Sequence, residues 1–169
     1  MKIAGVAVAI AAALALQTTL GRFVLRGTVA VDLVLVAVVY VALTSGPVTG
    51  LLTGTVAGLI QDALSSGVIG IGGLAKTVVG FLAGIIGTQF IVAQPLPRFV
   101  VFLSATVLHA VIFMGLYALL DLRHFGTPYA AVSGQAIGNA IIGVVAFQLV
   151  ELLPGAVERR RAARTRLRR

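Results

Sequence analysis

The chain has 169 residues, of which 59% are hydrophobic and only 11% are charged, and its mean hydropathy is +1.10. Soluble globular domains carry about 25% charged residues, so one core of this length could not hide so much apolar surface from water. The composition therefore excludes an ordinary soluble domain and predicts an integral membrane protein. The absence of cysteine also excludes disulfides and thiolate metal sites.

Six apolar segments follow one another, each near the roughly 20 residues that a helix needs to cross the hydrocarbon core. They cover about residues 3–20, 29–44, 46–64, 74–93, 99–120 and 131–153. The turn Ser45-Gly46-Pro47 makes the second and third a tight helical hairpin. Because lipid offers the backbone no water and the period-two alternation of a barrel is missing, we predict an all-α six-helix membrane bundle over residues 1–156.

The first segment also has features of a signal peptide, since Met1-Lys2 precedes an apolar stretch that contains Ala13-Leu14-Ala15. The stretch is at the upper end of the length that a signal peptide uses. We therefore expect the segment to stay in the protein as the first span.

The net charge of +8 is concentrated at the C-terminus, where seven arginines lie in the last eleven positions and form a predicted cytoplasmic tail over residues 157–169. With six spans, Lys2, Arg98 and this tail share one side, and four basic residues lie on the other. The excess of Lys and Arg predicts that both termini are cytoplasmic, in an N-in/C-in topology. No aromatic platform or recognition helix accompanies the tail, which argues against nucleic acid as its partner. Instead we expect contact with anionic lipids, worth about 1 kcal/mol per basic residue, from Arg159, Arg160, Arg161 and Arg164.

Small residues recur at every fourth position on several of these segments and line one face of each predicted helix. The sets are Gly50, Gly54 and Gly58 on the third segment, Gly80 and Gly84 on the fourth, Gly134 and Gly138 on the sixth, and Ala7, Ala11 and Ala15 on the first. Close backbone approach drives helix association in lipid. The pattern indicates either internal packing of the bundle or a groove that docks a partner's transmembrane helix.

Three charged residues interrupt the apolar segments near their ends: Asp32 opens the second, Asp62 closes the third and Lys76 opens the fourth. The predicted topology places all three near the outer rim of the membrane, and because a charge that faces lipid costs several kcal/mol, we expect an ion pair there. The glycine-rich reversal at 65–73 brings Asp62 level with Lys76 and predicts an ion pair between them. A contact with a partner or substrate is the alternative, and 65–73 either caps the membrane or re-enters it.

The remaining polar residues do not form a recognisable catalytic pattern. His109 lies alone in the fifth segment, and His124 is too far along the chain to complete a metal-ligand spacing, so His109 is interpreted as a hydrogen-bonded packing residue. No nucleophile elbow, paired carboxylates or phosphate-binding loop is present in the sequence. We therefore expect no catalytic, cofactor-binding or metal site.

Several motifs together resemble one known family. They are Asp32 at the start of the second span, Gly46-Pro47 in the hairpin, G-x-x-x-G-L-I-Q-D-A-L-S-S-G at 54–67 and G-x-x-x-L-A-K-T-V-V-G-F-L-A-G at 70–84. They resemble MreD, the bacterial rod shape-determining membrane protein, most specifically over residues 32–84. The resemblance covers the whole chain in the number of spans, the length and the basic tail.

The resemblance implies a membrane scaffold or regulator of the cell-elongation machinery in the bacterial inner membrane, where it supports rod shape and peptidoglycan synthesis. The implied partner is the bitopic protein MreC, and through it the MreB filament, the RodA glycosyltransferase and its class B penicillin-binding transpeptidase. The implied fold is similar to the six-helix substrate-binding S components of energy-coupling-factor vitamin transporters. Such a transporter subunit is the alternative function, and the Ala7/Ala11/Ala15 face would then meet its coupling partner. A vitamin site would need more aromatic and hydrogen-bonding residues than the short outer loops offer.

Overall fold

The structure is a computed structural model that describes residues 3–24, 31–65, 67–90, 94–122 and 129–166. Within these ranges it describes the side chains of residues 4–19 and of those between 31 and 152. The described residues form six helices and short connections without any strand. In chain order they are α1 (Ile3–Val24), α2 (Leu33–Ser45), α3 (Pro47–Leu64), α4 (Ile71–Gln89), α5 (Pro95–Leu119) and α6 (Tyr129–Arg166). The predicted all-helical fold with six helices is thus confirmed for the described chain.

Among the residues whose side chains the structure describes, three helices have the length and hydropathy of a membrane span. They are Ile71–Gln89, Pro95–Leu119 and the Tyr129–Leu152 part of α6. α2 has 13 residues and is about 20 Å long at 1.5 Å per residue, whereas the hydrocarbon core is about 30 Å thick. The chain therefore carries helices that are long and apolar enough to span a membrane, and the crossing of the membrane by all six stays a prediction.

α2 lies at the centre of the bundle and contacts each of the other five helices. It is apolar on every side, and seven of its 13 residues are buried, which is the pattern of a core helix. Its side chains pack with α4, α5 and α6 in one cluster that includes Leu35, Val39, Phe102 and Phe147. Surrounding helices, rather than lipid, cover α2, so its short length is compatible with a place inside the bundle.

The predicted hairpin between α2 and α3 is present and turns within a single residue. Gly46 has φ of +88°, a backbone conformation that favours glycine, and its N–H donates to Ala42 O. Pro47 then occupies the first turn of α3, where its missing N–H costs no hydrogen bond. The two residues together end one helix and start the next.

α3 and α4 pack against each other through the predicted glycine faces. A Cβ added at Gly50 would overlap the backbone carbonyl of Gly80, and one added at Gly54 would overlap that of Lys76. A Cβ added at Gly84 would overlap the backbone of Pro47, and one added at Gly58 would overlap the backbone of Gly73. In the described chain these two glycine faces are therefore used for internal packing.

The small residues of the other helices have different surroundings. On α6, Gly134 and Gly138 are half-buried. This helix approaches α5 closely at Gly143, where a Cβ would overlap the ring of Phe102. On α1, the buried side faces Val34, Val38 and Ala57 through other residues. The three alanines of its small-residue face, Ala7, Ala11 and Ala15, are exposed.

At the end of the bundle near the chain termini, α5 and α6 are joined by Arg98. Its guanidinium group donates two hydrogen bonds to the Glu151 carboxylate and stacks over the Phe147 ring at 4.4 Å. Beyond this contact α6 continues as a helix to Arg166, through the predicted tail. The side chains of Arg159, Arg160, Arg161 and Arg164 lie outside the described side chains, so their contact with lipid stays a prediction.

Candidate functional site

Two opposite charges meet in the interior at the other end of the bundle. Lys76 Nζ lies 2.9 Å from Asp32 Oδ2, and the two side chains are only 3% and 7% exposed. Asp32 is also the N-cap of α2, since its Oδ1 accepts a hydrogen bond from Leu35 N at 2.9 Å. The predicted pairing of Lys76 with Asp62 is wrong: α2 packs beside α4 and brings its own capping carboxylate to Lys76.

His109 on α5 is hydrogen-bonded to the lysine of this ion pair. Its Nε2 lies 3.2 Å from Lys76 Nζ, and its ring stacks on Phe113. An ammonium group can only donate, so Nε2 accepts and the ring proton resides on Nδ1. His109, for which the sequence indicated no partner, is thus a neutral imidazole that accepts a hydrogen bond from Lys76.

Amide side chains connect the Asp32 end of α2 to two further helices. Asn139 on α6 accepts a hydrogen bond from Asp32 N at 3.0 Å and donates to Thr106 Oγ1 at 3.1 Å. Gln17 on α1 accepts from Leu33 N at 2.8 Å and donates to Val31 O at 2.9 Å. The first turn of α2 is therefore held by α1, α4, α5 and α6 together.

Asp62 has a separate role at the N-terminus of α4. Its Oδ2 accepts hydrogen bonds from Gly70 N at 2.9 Å and from Gly73 N at 3.0 Å. Gly70 adopts φ of +106°, which favours glycine, and a Cβ on Gly72 would have to displace the Asp62 carboxylate. A carboxylate that binds free N–H groups at a helix N-terminus is stabilised by the helix dipole. The helix starts at residue 71, and the reversal is shorter than the sequence indicated.

A cavity of about 360 Å³ lies beside these charges, between α3, α4, α5 and α6. Its lining includes the polar residues Asp32, Asp62, Lys76 and His109 together with Phe113, Met114 and Tyr117. The carboxylates that the sequence singled out therefore share one cavity, although they do not share one partner.

Within the described side chains, no three histidines, aspartates or glutamates are grouped as metal ligands would be. The polar cluster consists of Asp32, Asp62, Lys76 and His109, and its charges are bound to one another or to backbone N–H groups. Such an arrangement fixes helix positions and forms a polar cavity wall.

Comparison with known proteins gives one family match. The family model described as "MreD: rod shape-determining protein MreD" matches residues 2–155. No curated protein and no solved structure gives a significant match to the chain. The family match covers all six helices up to the basic part of α6 and confirms the resemblance found in the sequence.

Proposed function

The chain belongs to the MreD family of rod shape-determining membrane proteins, and on this premise we propose that it is a non-enzymatic scaffold of the bacterial cell-elongation machinery. The observation that carries the proposal is the family match over residues 2–155. The polar cluster supports it, because its charges are bound to one another or to backbone N–H groups and stabilise helix positions.

In this proposal the chain binds an MreC-like bitopic protein through the transmembrane helix of that partner. The MreB filament, a RodA-type glycosyltransferase and a class B penicillin-binding transpeptidase are then reached through this partner, and peptidoglycan synthesis is regulated indirectly.

We place the partner helix on α1. The glycine faces of α3 and α4 are used against each other, whereas Ala7, Ala11 and Ala15 form a small-residue face that is exposed. Small residues allow two helix backbones to approach closely in lipid, where no hydrophobic drive joins them. α1 also has few contacts with the rest of the bundle, so a partner helix can lie along it without displacing another element.

The proposed location is the inner membrane, as a multi-pass protein with both termini in the cytoplasm. The arginine-rich tail supports this orientation through the positive-inside rule, and anionic lipids of the inner leaflet can bind the tail. A phosphatase or fluorescent reporter fused after Arg169 tests it. The fusion is expected to fluoresce as a cytoplasmic protein, and phosphatase activity outside the inner membrane would contradict the orientation.

Co-purification tests the partner. The full chain is expressed with an MreC-like protein from the same genome, and the amount recovered with the tagged chain is measured. Ala11→Leu adds bulk to the small-residue face and is expected to reduce recovery at least several-fold. Ala12→Leu is the matched control, since Ala12 is also exposed but points away from that face. Absence of the partner from the unmodified complex, or equal loss with both variants, would overturn the proposal.

The alternative is the substrate-binding subunit of an energy-coupling-factor vitamin transporter. The cavity of about 360 Å³ is the feature that favours a small-molecule function. The family match favours the scaffold. A stable complex with a transporter ATPase pair, and none with an MreC-like protein, would favour the transporter subunit over the scaffold.

A further inference from the structure

The cavity beside the polar cluster carries an excess of negative charge. Two aspartates and one lysine line it, and His109 is neutral because its Nε2 accepts from Lys76. Asp32 neutralises Lys76 at 2.9 Å, which leaves the Asp62 carboxylate as the unbalanced charge among the described lining residues. Both hydrogen bonds of Asp62 fall on Oδ2, so its Oδ1 is free to accept.

Gln61 contributes a second acceptor. Its Nε2 points to Asp32 Oδ1 at 3.4 Å, which fixes the orientation of the amide, because a flipped amide would place two acceptors face to face. Its Oε1 is then buried without any hydrogen-bond partner in the described structure. A buried unpaired acceptor costs free energy until a donor binds it, so the cavity wall is suited to a ligand with N–H or O–H groups.

Aromatic rings also line the cavity. Phe113 and Tyr117 line the cavity with their ring centroids 4.8 Å apart. Aromatic ring faces attract cations, and Met114 beside them adds an apolar surface. The carboxylate and the aromatic rings favour a cation, and the unpaired acceptor favours a hydrogen-bond donor.

From these three features we propose that the cavity binds an organic cation with N–H donors, namely a primary ammonium or guanidinium group on a small apolar body. The nitrogen donates to Gln61 Oε1 and Asp62 Oδ1, and the apolar body lies against Phe113 and Tyr117. The same ammonium chemistry has two sources, a free amine or the head group of an aminolipid. This site does not depend on the partner proposed for α1.

The test uses the full chain, without any partner, in phosphatidylcholine nanodiscs. Saturation-transfer NMR titrations compare n-butylammonium, n-butyltrimethylammonium and n-butanol, with empty nanodiscs as the blank. The quaternary ammonium keeps the charge and the apolar body but has no N–H, and butanol keeps a donor without the charge. We expect the primary ammonium to bind about tenfold more tightly than either, which corresponds to one buried hydrogen bond or one charge contact.

Two variants assign the binding to the cavity. Gln61→Leu removes the unpaired acceptor and is expected to lower the preference for the primary over the quaternary ammonium from about tenfold to about threefold, because the hydrogen bond to Asp62 Oδ1 remains. Asp62→Asn keeps an oxygen for the backbone N–H groups and is expected to weaken both cations but not butanol. Gln89→Leu is the matched control, because Gln89 is exposed and outside the cavity, and it is expected to change nothing. Circular dichroism verifies that each variant is folded.

Replacing part of the phosphatidylcholine by phosphatidylethanolamine identifies the source. Displacement of n-butylammonium assigns the site to an aminolipid head group, and unchanged binding assigns it to a free amine. The proposal is overturned if the three probes bind alike, or if the preference for the primary ammonium is as large in Gln61→Leu as in the unmodified chain, because the preference would then not come from this cavity wall.

Discussion

Lys76 Nζ on α4 and Asp32 Oδ2 at the start of α2 lie 2.9 Å apart in the interior of the bundle. The contact joins the central helix to the helix that packs on α3. Removing one member of a buried ion pair leaves the other charge in an apolar environment, which costs about 3–5 kcal/mol, whereas removing both costs far less. The pair is therefore expected to couple strongly in a double-mutant cycle.

The first prediction follows from this coupling. Lys76→Met and Asp32→Asn are each expected to lower the free energy of unfolding by about 3–5 kcal/mol, and the double variant by clearly less than the sum. Unfolding in mixed micelles, followed by circular dichroism, measures the cycle. A parallel cycle of Lys76→Met with Asp62→Asn is expected to give a smaller coupling. The account of the pair fails if the Asp62 cycle has the larger coupling.

A second prediction concerns the close contact of α3 with α4. Gly54→Ala places a Cβ on the backbone carbonyl of Lys76 and is expected to destabilise the protein by about 1–3 kcal/mol through overpacking. Gly115→Ala is the matched control in α5, since a Cβ there meets nothing within 4 Å. It is expected to stabilise the helix by about 0.5–1 kcal/mol. Thermal unfolding of both variants measures the difference, and equal shifts of the midpoint in the same direction would count against the glycine contact.

A third prediction concerns the cap that Asp62 provides for α4. Asp62→Ala removes the acceptor for Gly70 N and Gly73 N, and is expected to cost about 0.5–2 kcal/mol, as loss of a helix cap does. Asp62→Asn keeps an oxygen and is expected to cost less. Hydrogen exchange by mass spectrometry should show faster exchange in peptides covering residues 67–75 with Asp62→Ala. Unchanged exchange there would show that the hydrogen bonds are not formed in solution.

The helices and the hairpin could be predicted from the sequence because the signals are local. Long apolar runs require helices in lipid, and Gly46-Pro47 ends one helix and begins another within two residues. The glycine spacing likewise predicted close helix contact, and the structure places the faces of α3 and α4 against each other.

The partner of Lys76 could not be predicted in this way. Sequence distance favoured Asp62, which lies across one reversal from Lys76, but the pairing is decided by the packing of α2 against α4. The same holds for His109 and Asn139, which lie far apart in the sequence and meet the Asp32–Lys76 pair only in the folded bundle. His109 and Asn139 each interrupt an apolar helix, and this signal in the sequence indicates that they have polar partners, because polar groups buried in a membrane protein require them.

In the proposed scaffold, the transmembrane helix of an MreC-like protein lies along α1. The chain has no cysteine, so single variants Ala11→Cys and Ala12→Cys can each carry a benzophenone photo-crosslinker in native membranes. We predict an adduct with the MreC-like protein from position 11 and little or none from position 12. Equal adducts from both positions, or none from position 11 in membranes that contain the partner, would contradict the account.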